Sequence, residues 1–157
     1  MAYCRRDLRL QIPPMTAVPP TPFPVADALT TRPVILVVDD TGGVRSVLTR
    51  ALLHSGYHVI TSAGETEALR VLDQFQTRPD LAVLDLYMPL GSGEELGRKL
   101  LDRQPSLPLV FLSAFGHDPD AVLPGLLFEK PFKLAVLCTA IAHVLEVGMA
   151  AVVGGTG

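Results

Sequence analysis

At 157 residues the chain has the length of one domain built on a single sizeable core. Hydrophobic residues make up 48% of it and aromatics only 6%, so that core should consist of Val, Leu and Ala. The net charge of −3 and the lack of a long basic run leave no phosphate-backbone footprint for nucleic acid, and no stretch reaches the roughly 20 apolar residues that a membrane span needs.

Residues 1–31 read as a disordered, Pro-rich tail. Seven prolines fall between Pro13 and Pro33, without a helical or strand period, and such a segment cannot bury enough surface to offset its ordering entropy. Arg5 and Arg6 suggest a twin-arginine export signal, but Gln11, Pro13 and Pro14 follow where an apolar stretch is required, so the expected location is cytoplasmic. Met15 offers a later start. Cys4 and Cys138 lack metal-type spacing and read as a spare thiol and a core-facing thiol, consistent with a reducing compartment. The expected domain covers 32–147, with 148–157 as a flexible C-terminal tail.

Within that domain apolar runs alternate with helical stripes. Val34–Val38 is a short continuous run, suited to a strand buried on both faces. Val44, Val47, Leu48, Ala51 and Leu52 form one stripe on a helix that Gly56 ends. Tyr57–Thr61 reads as a second strand, and Ala68, Leu69, Leu72 and Phe75 as a second helix. Leu81–Leu84 is the third run; Ser92-Gly93-Glu94-Glu95 reads as a capping box opening a helix that carries Leu96 and Leu100. Leu107–Leu112 is the fourth strand, and Asp118-Pro119 pairs an N-cap with a first-turn proline for a short fourth helix. Leu126–Phe128 is the fifth strand, and Leu134, Leu137, Cys138, Ile141, Val144 and Leu145 mark a last helix. Five strands alternating with five helices imply an α/β fold, a parallel sheet with helices on both faces.

Ligands of such sheets bind beyond the carboxyl ends of the strands, where the strand order reverses. There the chain places Asp39 and Asp40 after the first strand, Asp85 after the third, Ser113 after the fourth and Lys130 after the fifth. Taken singly, each has an ordinary explanation: an N-cap aspartate, a loop serine, a solvated lysine. Taken together they form a site. Crowded carboxylates are costly without a cation, and oxygen-only ligands select Mg²⁺ or Mn²⁺. A carboxylate beside such an ion can act as a nucleophile toward a phosphoryl group, while the lysine neutralises charge on the transferring group and the Ser113 hydroxyl donates to a phosphoryl oxygen.

The segments VILVVDD, DLAVLDLYMP, LPLVFLSA and FEKPF, in this order and spacing, resemble the receiver domains of two-component response regulators over about Pro33 to Leu145. The resemblance implies a flavodoxin-like (CheY-like) five-stranded parallel sheet of order 2-1-3-4-5. It implies that Asp85 is the phospho-acceptor, and that Asp40, Asp85 and the backbone carbonyl of Tyr87 bind Mg²⁺, with Asp39 acting mainly through water. Ser113 would bond the phosphoryl group, Lys130 would pair with it, and the Lys130–Pro131 peptide would be cis. The implied donor is a phosphohistidine on a histidine kinase or a phosphotransfer protein. Such a domain assists its own phosphorylation and dephosphorylation without being an enzyme of another substrate.

Three features depart from that pattern. Thr41, Gly42 and Gly43 follow the aspartate pair where an acidic residue is common, and the glycines weaken the first helical turn. Only 16 residues separate Ser113 from Lys130, as in receivers fused to hybrid sensor kinases, so the fourth helix must be short. The switch aromatic expected three residues before the lysine is Leu127, and Phe128 should face the other side of the strand, leaving Phe115 as a substitute. Tyr87 and Phe115 flank the acceptor and should slow hydrolysis of the phosphoryl group. With a dozen residues after Leu145, either output is expected through a partner protein or the chain is a phosphate relay or sink; the face of the fourth helix, fifth strand and last helix is the expected partner or homodimer face.

Three other readings compete. A degenerate receiver would dock partners without phosphorylation, but the complete set of Asp39, Asp40, Asp85, Ser113 and Lys130 speaks against it. A haloacid-dehalogenase-like phosphatase needs an aspartate two residues after its nucleophile, and Thr41, Gly42 and Tyr87 stand at those positions. A flavin-binding module would want a phosphate-cradling loop after the first strand, and Asp39 and Asp40 would repel that phosphate.

Overall fold

The computed structural model describes residues 32–116 and 124–153. The tail at 1–31, the helix expected from Asp118 and the residues from Gly154 onward lie outside them. The order is β1 (Val34–Val38), α1 (Gly42–His54), β2 (His58–Ser62), α2 (Glu65–Phe75), β3 (Leu81–Asp85), α3 (Gly93–Arg103), β4 (Leu109–Ser113), β5 (Leu126–Glu129) and α4 (Leu134–Val153).

The strands form one parallel sheet of order β2-β1-β3-β4-β5, the flavodoxin-like arrangement. Successive side chains of a strand point to opposite faces, so β1 splits its apolar run between two cores. Ile35 and Val37 join Val83, Val110 and Leu112 under Leu48 and Leu52 of α1 and Leu137, Ile141 and Leu145 of α4. Leu36 and Val38 join Ala82, Leu84 and Phe111 under Ala68 and Leu72 of α2 and Leu96 and Leu100 of α3. Burial on both faces explains why β1, β3 and β4 read as continuous apolar runs instead of alternating ones. Edge strand β5 is largely exposed.

Several local expectations need correction. Val47 and Phe75, assigned to apolar stripes, are both exposed; the inward faces of α1 and α2 are held by Leu48 with Leu52 and by Ala68 with Leu72. The second strand begins at His58 because the Tyr57 amide is committed to the Leu52 carbonyl at the end of α1, where Gly56 adopts a positive φ of 90°. The fourth strand begins at Leu109 because the Leu107 amide closes a turn onto Gln104. Only half of the capping box forms: Ser92 Oγ accepts from the Glu95 amide, while Glu95 turns to Lys99. Helix α4 reaches Val153 instead of giving way to a tail at 148, since a single glycine at Gly148 costs a helix only about 1 kcal/mol. Among the described residues no helix is long and apolar enough to cross a membrane.

Candidate functional site

The carboxyl ends of β1, β3, β4 and β5 converge, and each delivers one part of the site. At the end of β1, the Asp39 amide donates to Ser62 of β2 at 3.3 Å, which extends the ladder one residue beyond the strand. The Asp39 side chain then turns back: its Oδ1 accepts from the Thr41 amide at 2.8 Å, supplying the helix start that the Thr41 hydroxyl does not cap. Asp39 is completely buried, while Asp40 beside it faces solvent. Asp85 ends the central strand β3, is almost fully buried, and its Oδ1 accepts from the Tyr87 amide at 3.2 Å. Ser113 ends β4, fully buried, and its hydroxyl donates to the carbonyl of Phe115.

Lys130 is set by β5. Its amide donates to the Ser113 carbonyl at 2.7 Å, and the Lys130–Pro131 peptide is cis. The ammonium reaches Asp39 Oδ2 at 2.8 Å and Asp85 Oδ2 at 2.9 Å, joining residues 91 and 45 positions away.

One ammonium therefore serves two buried carboxylates, and a third, Asp40, lies alongside. Burial pushes the Asp85 carboxyl pKa upward; hydrogen bonds from Lys130 and the Tyr87 amide oppose this, repulsion from Asp39 adds to it, and the net direction is up. Burial alone would lower Lys130, but its hydrogen bonds to Asp39 and Asp85 outweigh that and raise it. Burial leads the rise of Asp85, whereas the two carboxylates drive the rise of Lys130. Ligand atoms of Asp39, Asp40 and Asp85 lie within 4.8 Å of one another, an all-oxygen donor set that fits a hard divalent cation.

The structure thus brings together Asp39, Asp40, Asp85 and Lys130, with Ser113 one strand away, its hydroxyl turned to Phe115. The rings of Tyr87 and Phe115 meet at the mouth, edge to face, with centroids 5.8 Å apart. One contributor was not foreseen. Arg45 in the first turn of α1 donates from Nη1 to the Asp39 carbonyl at 2.5 Å, bracing the loop that carries the aspartate pair. Its sequence signal was available: a cation in the first turn opposes the helix dipole and calls for a local reason.

The topology and this edge define a doubly wound α/β domain with an acidic pocket at its switch point. The sequence pattern of the response regulator receiver domain matches residues 35–142, and the chain belongs to that family. Over 118 residues it is 35% identical to the sensor kinase CckA of Brucella abortus, covering 71% of this chain and 12% of that protein. Over 117 residues it is 38% identical to the transcriptional regulatory protein GlrR of Escherichia coli, covering 71% of this chain and 26% of that one. The chain thus spans about an eighth and about a quarter of these two relatives. Among solved structures it is similar to the response regulator TrrA of Thermotoga maritima in complex with Mg²⁺-BeF, at 27% identity and a TM-score of 0.63, covering 71% of this chain and 98% of that one.

The chain is therefore a receiver domain of two-component phosphorelay signalling. Receiver domains bind Mg²⁺ at an acidic pocket, and they interact with histidine kinases or phosphotransfer donors and with downstream effectors. The family match does not favour the phosphatase, flavin or unphosphorylated docking readings.

Proposed function

We propose that this domain accepts a phosphoryl group from a phosphohistidine donor onto Asp85, with Mg²⁺, and signals through a partner protein. The observation that carries this is the shared ammonium: Lys130 bridges Asp85 and Asp39 at 2.9 and 2.8 Å, at the end of a central strand, beside the exposed Asp40. Asp40, Asp85 and the Tyr87 carbonyl would hold Mg²⁺, which when bound neutralises charge on the phosphoryl oxygens. Asp39, completely buried beside the exposed Asp40, would act mainly through water. An Asp85 oxygen forms the new P–O bond as the donor's P–N bond breaks, and the imidazole leaves with that electron pair. Lys130 and the Ser113 hydroxyl then hold the phosphoryl oxygens. We assign no other catalytic activity to it, and place it in the cytoplasm, with output through the exposed β5 and α4 side.

Incubation with acetyl phosphate, with and without Mg²⁺, tests this by intact mass. The wild type is expected to gain one phosphoryl group only with Mg²⁺, and Asp85→Asn, whose amide removes a crowded charge without changing shape, to stay folded and gain none. A folded wild type that gains nothing, or an Asp85→Asn variant that gains as much, overturns the assignment.

The aromatic pair bears on lifetime. Tyr87 and Phe115 follow Asp85 and Ser113 by two residues and their rings meet edge to face, so if the pair shields Asp85 from water, Tyr87→Ala and Phe115→Ala are each expected to hydrolyse the phosphoryl group faster than wild type, by about tenfold for a barrier raised by about 1.4 kcal/mol. Decay of the phosphorylated mass after donor removal measures this, and unchanged lifetimes in both variants refute shielding.

A further inference from the structure

Each ring of the Tyr87–Phe115 pair is tethered to a group whose bonding must change on phosphoryl transfer. The Tyr87 amide donates to Asp85 Oδ1 at 3.2 Å. The Phe115 carbonyl accepts from the Ser113 hydroxyl. The rings meet at an interplanar angle of 74°, although Tyr87 is 48% and Phe115 71% exposed, so this contact is not a by-product of core packing. Edge-to-face pairs contribute about 0.5–1.5 kcal/mol, small enough for a change in the tethers to open them.

A hydroxyl has one proton to give. Ser113 can donate it to the Phe115 carbonyl or to a phosphoryl oxygen, not to both. Phosphorylation also replaces the Asp85 carboxylate by an acyl phosphate, whose carboxyl oxygens no longer share a full negative charge and accept more weakly from the Tyr87 amide. Both tethers thus weaken in one event.

No β5 aromatic is placed to do this work. Leu127 stands three residues before Lys130, and the Phe128 ring lies on the opposite face, packed edge to face with Phe132 at 6.3 Å in the core under α1 and α4.

We infer that the Tyr87–Phe115 pair is the element by which this domain reports occupancy of Asp85. It is closed while Ser113 donates to the Phe115 carbonyl, and it opens when that hydroxyl turns to the phosphoryl group. The inference rests on the reading of Asp85 as acceptor. It places the visible change at the β3 and β4 loop mouth, on two rings a partner can reach, instead of on β5.

The test uses the full chain carrying fluorotyrosine at Tyr3, Tyr57 and Tyr87, read by fluorine NMR, with the Tyr87 signal assigned by its loss in Tyr87→Phe. Acetyl phosphate and Mg²⁺ are added and the phosphorylated fraction is followed in parallel by intact mass. The Tyr87 signal is expected to move in proportion to that fraction. In Phe115→Leu, which keeps apolar bulk at an exposed position, it should start displaced and lose most of the movement, whereas Leu127→Ala should respond like wild type. A full gain of mass with a static Tyr87 signal, or equal movement in Phe115→Leu and wild type, overturns the inference and leaves the acceptor reading standing. A chain that gains no mass overturns both.

Discussion

Gly93→Ala is expected to destabilise the domain by about 3 kcal/mol or more, the upper range for forcing atoms into a packed interior. A Cβ at this first residue of α3 would lie 2.2 Å from the Asp85 carbonyl oxygen and 2.8 Å from its carbon. Those are backbone atoms, so no side-chain rotation relieves the clash; α3 must move off β3, or β3 must shift and take the proposed acceptor with it. For a domain of this size the cost is on the order of 10 °C in thermal midpoint. Gly43→Ala supplies the opposite sign: nothing lies within 4 Å of its Cβ position, and it sits in the first turn of α1. It should gain about 0.5–1 kcal/mol from reduced freedom of the unfolded chain. Thermal unfolding of the three proteins decides it, and a Gly93→Ala midpoint near wild type would show that the β3–α3 approach is looser than described.

Lys130→Met is expected to give the second large effect. Methionine keeps the stem but leaves two buried carboxylates, Asp39 and Asp85, without their shared cation. Removing one partner of a buried ion pair costs roughly 3–5 kcal/mol. The Lys130 side chain is 20% exposed and water can reach the site, so about 2–3 kcal/mol is the better figure here. Because the deficit is one of uncompensated negative charge, Mg²⁺ binding to the folded state should recover part of it, and the variant's midpoint should rise more with millimolar Mg²⁺ than the wild type's. Equal Mg²⁺ responses in the two proteins would argue against a common electrostatic origin for lysine and metal binding.

Much of this was legible in the linear chain because it rests on local periodicity. The continuous runs at Val34–Val38 and Leu81–Leu84 suit strands covered on both faces, and the stripes of α1 and α4 place Leu48, Leu52, Leu137, Ile141 and Leu145 without reference to any partner. Once the strands are assigned, the switch-point rule brings Asp39, Asp40, Asp85, Ser113 and Lys130 to one edge, since each ends or follows a strand. Two of the errors fall where a stripe is wider than the contact it makes. Val47 and Phe75 are apolar at helical spacing, but the buried faces of their helices are held by Leu48 with Leu52 and by Ala68 with Leu72.

Tertiary structure alone decided who bonds to whom at that edge. That Lys130 bridges two carboxylates, that Asp39 has no free oxygen, and that Arg45 braces the aspartate loop all depend on distances between strands far apart in the chain. Nor could spacing show that the Ser113 proton goes to the Phe115 carbonyl, or that Tyr87 meets Phe115 across the mouth. The sequence by itself determined the alternating α/β class, the approximate place of each strand and the chemical inventory of the site, because these follow from the period of burial and the polarity of single residues; the strand order came through the family resemblance. The charge balance and the path from Asp85 to the surface were decided only by the packed sheet, because Coulomb energy and hydrogen bonding depend on ångström separations that no linear pattern encodes.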